Sequence, residues 1–234
     1  MILPQPTRAT LTFLNPLTET SRAVTIVLVS HPDPNGAPNL APIEVGELWE
    51  NPVTRERARL IEAPWQNAKG RGTAELTALA GARVAGEHFH PGIVESFTVL
   101  EGELTVKRDG VTSVLKEGEA ALIEPGHWHD WWNAGEDDAR VHVEVEPGER
   151  FVHMLETLFG LAQLGHTNSK GMPDPLQLAL FASEFSDVIV FRSPPRSVQR
   201  AIFGALTPIA RRRGYRATYP QISRTTLAPR SNQG

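Results

Sequence analysis

Residues 86–103 read GEHFHPGIVESFTVLEGE, and the fold turns on how they are placed. Side chains of a strand alternate with period two, so His88 and His90 point to one face. Glu95 opens the next strand after the Pro91-Gly92 turn and returns to the same interior. Phe97 and Val99 share its face, and Gly102 with Glu101 closes a hairpin. A second stretch, PGHWHDWWN at 125–133, carries the same logic. Pro125-Gly126 makes a turn, His129 starts a strand, and Asn133 follows at i+4. Three imidazoles and one carboxylate form a mixed nitrogen and oxygen shell suited to one divalent transition metal: Fe, Mn, Ni, Co, Cu or Zn. Their lone pairs replace water ligands at roughly 2.0–2.2 Å. Such a shell leaves positions open for a substrate or dioxygen.

Working outward, alternation extends over residues 45–146. Strands are expected at Glu47–Asn51, Ala58–Glu62, Thr73–Ala80, Glu87–His90, Glu95–Leu100, Leu104–Arg108, Thr112–Lys116, Glu119–Ile123, Trp128–Trp132 and Arg140–Val145. Asp109-Gly110 between two alternating runs is a hairpin signal, because both central residues need positive φ. Many short strands separated by frequent turns point to a β-sandwich or barrel. From Phe151 the period becomes helical: Phe151, Leu155, Leu158, Phe159 and Ala162 share one face. Pro173-Asp174-Pro175 opens a second helix. A third follows Pro194-Pro195, with Val198, Ile202, Leu206 and Ile209 in a stripe. These apolar faces call for a partner, either the outside of the barrel or a second subunit. Before residue 45, seven prolines interrupt any long element, and the Ala23–Val29 run suits a short strand. HPDPNGAPN at 31–39 is turn chemistry.

The two motifs now carry a resemblance. H-x-H-x4-E-x6-G from His88 to Gly102, and G-x6-P-G-x2-H-x3-N from Gly118 to Asn133, resemble the two motifs of the cupin superfamily. The resemblance covers roughly residues 45–148. It departs from the family pattern only in turns, where Gly81 precedes His88 by seven residues and one extra residue separates Gly118 from Pro125. It implies a mainly β fold, a single cupin jelly-roll barrel (double-stranded β-helix), with metal ligands His88, His90, Glu95 and His129. Residues 150–234 resemble the helical tail of some bacterial single-cupin proteins. The expected organisation is thus an irregular N-terminal extension over 1–44, a barrel over 45–149 and a helical extension over 150–234. The implied activity is a metal-dependent oxidoreductase of dioxygenase type acting on a small organic, even aromatic, substrate. Two alternatives stand beside it: a redox-neutral isomerase or lyase, and a non-catalytic small-molecule binder. Glu95, swinging off the metal, is a candidate general base, as in flavonol-dioxygenase cupins.

Phe97 and Trp131 share parity with ligands and are expected to line the pocket, with His127 at the barrel mouth as an alternative ligand or a substrate contact. His142 alternates with Val141 and Val143 and is expected to face outward. The chain holds no cysteine, so disulfides and thiolate ligands are excluded. A cytoplasmic location is compatible with that. The net charge of −4 is uneven, since nine arginines and no acidic residue follow Asp187. Arg211-Arg212-Arg213 near a helix C-terminus suits the helix dipole, and no nucleic-acid module accompanies it. No apolar run reaches the roughly 20 residues of a membrane span, and the Ala23–Val29 run lacks a signal peptide's flanks. Barrel and helix surfaces together lead to an expected homodimer.

Overall fold

Period-two alternation becomes strand in a computed structural model of the chain, which describes residues 43–84 and 86–218 in full and 7–14, 21–28 and 225–226 by backbone. Strands β1 (Thr7–Leu14) and β2 (Ser21–Leu28) pair antiparallel with each other. The turn-rich segment at 31–39 lies outside the described residues. The main body is built from β3 (Glu47–Asn51), β4 (Glu56–Glu62), β5 (Gly72–Ala78), β6 (His88–Phe89), β7 (Val94–Glu101), β8 (Glu103–Arg108), β9 (Val111–Lys116), β10 (Ala120–Ile123), β11 (His129–Trp132) and β12 (Ala139–Glu146). After these come α1 (Glu149–Gln163), α2 (Pro175–Glu184), β13 (Val190–Phe191), α3 (Arg196–Arg212) and β14 (Thr225–Thr226).

The strands form two antiparallel sheets, ordered β10-β7-β12-β5-β4-β3-β14 and β13-β6-β11-β8-β9. This is the expected mainly β jelly-roll with C-terminal helices. Asp109 and Gly110 both have positive φ and link β8 to β9, as the hairpin signal requires. Gly102 behaves differently from expectation. It does not close a hairpin, because β7 pairs with β10 and β12 whereas β8 pairs with β9 and β11. The chain crosses between sheets there. Gly102 has φ +77°, and a Cβ would meet the Asp138 carbonyl at 3.0 Å, so both conformation and space demand glycine.

The inner face of the larger sheet follows from alternation. Val141, Val143 and Val145 of β12 face Leu76, Ala74 and Gly72 of β5, while Ala58 and Leu60 of β4 continue the face opposite Leu76 and Ala74. Two packed clusters fill the interior. One holds Leu76, Phe97, Val99, Leu104, Val106, Ile123, Trp131 and Val141 between the sheets. The other joins Trp49, Ala58, Leu60 and Val145 to Phe151, Val152, Leu158 and Phe159 of α1 and to Phe181 and Phe185. The helical face therefore packs on the inner surface of the larger sheet, not on the outside of the barrel as the sequence led us to expect. The physical reason is size: the larger sheet has seven strands and the smaller five, and the apolar side of β3 and β4 is covered by α1.

Local chemistry fixes the helices. Asp174 caps α2 by accepting from the backbone N–H of Leu176 (2.9 Å) and Gln177 (3.3 Å), with Pro175 at the first helical position. Gln199 of α3 is buried and donates to the carbonyls of Phe191 (2.7 Å) and Pro194 (2.6 Å). The stripe Val198, Ile202 and Ile209 remains exposed.

Candidate metal centre and adjoining cavity

His88 and His129 sit directly opposite each other on β6 and β11 of the smaller sheet. His90 follows β6, and Glu95 enters from β7 of the larger sheet. The four side chains thus meet across the gap between the sheets. All four are buried, His129 completely so. One nitrogen or oxygen from each lies within 4.8 Å of all the others. Glu95 Oε2 accepts from His129 Nε2 at 3.0 Å and lies 3.3 Å from His90 Nε2.

The orientation of the rings has a common cause. His88 Nδ1 lies 2.8 Å from the Gly86 carbonyl, His90 Nδ1 2.6 Å from the Val188 carbonyl, and His129 Nδ1 3.1 Å from the His127 carbonyl. A carbonyl only accepts, so each Nδ1 carries hydrogen and Nε2 faces the centre; His129 Nε2, which donates to Glu95 Oε2 without a metal, gives up that proton when a cation binds. His90 Nε2 is buried with no hydrogen-bond partner. A buried polar atom without a partner costs free energy, and a shared cation removes that cost. With metal–ligand bonds of roughly 2.0–2.2 Å, ligand atoms lie at most about 4.4 Å apart. The observed cluster needs only a small contraction, so these residues fit a metal ion.

The electrostatics match. Burial pushes the Glu95 carboxyl up, but the His129 hydrogen bond and the close imidazoles of His90 and His129 outweigh it and hold it well below the usual carboxylate range. His88 is pushed down, first by burial and then by the neighbouring His129 and His90, so it stays neutral and its lone pair is free. Burial also lowers His129, yet the Glu95 hydrogen bond and charge raise it overall. The ionised Glu95 and neutral His88 are in the forms a cation requires, whereas the raised His129 must release a proton as the cation binds.

An apolar cavity of about 100 Å³ opens beside the cluster, several times the roughly 10–15 Å³ one water needs. His88 and Glu95 line it, as do Phe97 and Trp131. Its other walls include Trp49 of β3, Phe191 of β13, and Phe151, Leu155, Leu158 and Phe159 of α1. His127 is a correction. It is absent from the cavity wall and points to solvent, its Nδ1 2.6 Å from Asp109 Oδ2. It precedes β11, so strand parity does not govern it, and the exposed Asp109 holds it outside. Its carbonyl, not its ring, serves the centre by orienting His129. His142 is half-buried and 4.0 Å from Glu144 on the side away from Val141, as expected.

Sequence reasoning missed three contributors. The Val188 carbonyl that aims His90 comes from the C-terminal region, where β13 pairs with β6 (Val190 with Phe89, Phe191 with His88). The apolar run from Val188 to Phe191 carried a strand signal that could have shown this. Arg150 on α1 holds that segment through a paired contact to Asp187 (2.6 and 2.9 Å). The third is Glu56, a buried acid of β4 in the cavity wall. Burial pushes its pKa up to about 7 from an ordinary 4.5.

Glu56 gives a prediction with a definite sign. Its folded pKa lies above its unfolded one, so it favours the fold fully below pH 4.5, and that contribution is lost as pH rises to about 7. The loss is at most about 3 kcal/mol. Glu56→Gln should therefore gain in Tm over the parent across this window and hold the gain above it. A difference in Tm that does not change with pH refutes the assignment.

The comparisons with known proteins complete the site. Residues 75–146 match the family model for the cupin domain, which takes in His88, His90, Glu95 and His129. The tetracenomycin polyketide synthase protein TcmJ of Streptomyces glaucescens is 29% identical over 97 residues, 42% of this chain and 58% of that protein. The polyketide synthase CurC of Streptomyces cyaneus is 34% identical over 67 residues, 29% of this chain and 43% of that one. This chain thus spans less than two thirds of either relative. Among solved structures, a predicted oxalate decarboxylase from Thermotoga maritima aligns at 19% identity with a TM-score of 0.40, covering 44% of this chain and 93% of its own.

Proposed function

Because the barrel of this chain is a cupin domain, we propose that it holds one divalent transition metal on His88, His90, Glu95 and His129 and acts there on a small, largely apolar organic molecule. The observation that carries this reading is the convergence of four buried ligand atoms beside an aromatic-walled cavity. Bound metal supplies Lewis acidity and, for a redox-active ion, electron transfer with dioxygen. The chain's own residues do the rest. The carbonyls of Gly86, Val188 and His127 fix the three imidazoles. The walls exclude water and orient the substrate. Glu95, when off the metal, takes a proton from a substrate hydroxyl at its Oε2.

The first reading is an oxidoreductase of dioxygenase type. Oxygen uptake with catechols, flavonols and diketones tests it, after elemental analysis of protein purified without added metal. Absence of metal, or of uptake with every member of the panel, overturns it. A redox-neutral isomerase or lyase is the second reading. Both curated relatives carry polyketide synthase names, and neither name specifies an oxidation. Turnover that persists without oxygen selects it.

The remaining parts of the reading are proposals of the same kind. We take residues 45–149 as the barrel unit, with 1–44 and 150–234 as extensions. We also take the protein as cytoplasmic, without nucleic-acid partners, on its cysteine-free, mildly acidic composition. No helix among the described residues is long and apolar enough to cross a membrane. The exposed stripe Val198, Ile202 and Ile209 on α3 supports a homodimer. Light scattering should report twice the 25.7 kDa of one chain, and Ile202→Glu should shift the mass towards a single chain. A single-chain mass for the parent contradicts the dimer.

A further inference from the structure

Glu56 stands apart from the metal cluster in the same cavity. It lies opposite Ala78 of β5, whereas Glu95 lies opposite Val145, which in turn faces Gly72. Six residues of β5 separate the two levels, roughly 20 Å of strand. The cavity therefore has both carboxyls in its wall, at different levels of the sheet, with apolar and aromatic residues also lining it. No Lys or Arg lines the cavity, and Glu56 has no ion pair among the described residues. Its surroundings on neighbouring strands are neutral. Asn51 faces it across β3, its Oδ1 occupied by the backbone N–H of Val53 and Thr54, and Ala78 faces it across β5. This carboxyl, 7% exposed and in the wall of an apolar cavity, has the Thr54 hydroxyl beside it as its side-chain hydrogen-bond partner and no cation to answer it, which leaves its second oxygen to a ligand.

We propose that Glu56 is the polar anchor for the far end of the ligand, so that the site selects an elongated, uncharged, mainly aromatic molecule with a hydroxyl or keto group there. This rests on the reading of the cavity as the ligand site and adds the charge and polarity of what it takes. A neutral carboxyl donates to a keto oxygen, and a carboxylate accepts from a hydroxyl, so Glu56 serves either group near neutral pH. An anionic group at that end meets no cation and a neighbouring acid, and is rejected. A ligand with no polar group there buries Glu56 with Thr54 as its only partner, which a polar site penalises.

Three probes of one shape test this on the full chain as purified: 2-naphthol, 2-methylnaphthalene and 2-naphthoate. Calorimetric titration should give 2-naphthol about tenfold tighter than 2-methylnaphthalene, with 2-naphthoate weakest. In Glu56→Leu the preference for the hydroxyl should vanish. In Glu56→Gln the hydroxyl preference should survive through the amide, while 2-naphthoate binding improves with the acid gone. Should Glu56→Leu not fold, Glu56→Gln alone still reads the change in 2-naphthoate affinity. Equal naphthol preference in parent and Glu56→Leu overturns the assignment, as does failure of all three probes to bind. Metal content on the same samples keeps the two readings distinct. Metal lost in Glu56→Gln overturns this inference by placing Glu56 among the ligands. A parent that binds no metal but keeps the hydroxyl preference sinks the metal reading and upholds this one.

Discussion

Replacing His129 or His88 by alanine should each cost the protein most of its bound metal, yet the His129 change should weaken the metal-free fold far more. Each substitution removes one of four ligands. Loss of a partner beyond the ligands typically costs 10–100-fold in metal affinity, so loss of a ligand itself should cost more than 100-fold. The two then part company. His129 Nε2 donates to Glu95 Oε2 at 3.0 Å inside a dry interior. Removing it leaves the ionised Glu95 with only His90, and breaking a buried pair costs about 3 kcal/mol. His88 has no hydrogen bond to Glu95, its Nδ1 meeting the Gly86 carbonyl instead. His88→Ala should therefore lose metal with a much smaller fall in Tm after chelation. Metal content unchanged in either variant refutes the ligand assignment, and equal falls in Tm refute the special role of the His129–Glu95 pair.

The second large effect is expected at Gly148, just before α1. This glycine has φ −100°, which any residue adopts, so its need is for space. A Cβ there would lie 2.6 Å from the Gly72 backbone nitrogen and 3.0 Å from its Cα. Backbone cannot swing aside as a side chain can. Gly148 N–H also donates to the Gly70 carbonyl at 2.7 Å, tying the start of α1 to the beginning of β5. Gly148→Ala must push α1 away from the sheet and loosen Phe151 and Val152 from Trp49, Leu60 and Val145. We expect about 3 kcal/mol, the upper part of the overpacking range, or roughly 10 °C in Tm for a chain of this size. A change of less than about 1 kcal/mol by denaturant unfolding refutes the close approach. The displacement should also enlarge the cavity, because α1 forms one wall of it.

Much of this was legible before any coordinates. Alternation placed strands close to β3 through β12, since a half-buried strand must repeat every second residue. Asp109-Gly110 announced its hairpin because few residue pairs accept two positive φ angles. Spacing alone grouped His88, His90, Glu95 and His129, which the fold brings within 4.8 Å. Gly102 shows the limit. A turn residue states that the chain reverses, yet which sheet receives the next strand depends on long-range pairing. His127 shows another, for strand parity fails two residues outside the strand. The apolar face of α1 declared that it must be buried but not against what.

The linear code thus determined local conformation and the residues able to bind a cation, because backbone propensity, turn chemistry and ligand type belong to individual residues and their near neighbours. The tertiary structure alone decided that α1 covers the larger sheet from within, that the Val188 carbonyl aims His90 from 98 positions away, and that Glu56 shares the cavity with the metal ligands. Those depend on contacts between segments distant along the chain, where burial of whole surfaces, not the character of any one residue, selects the arrangement.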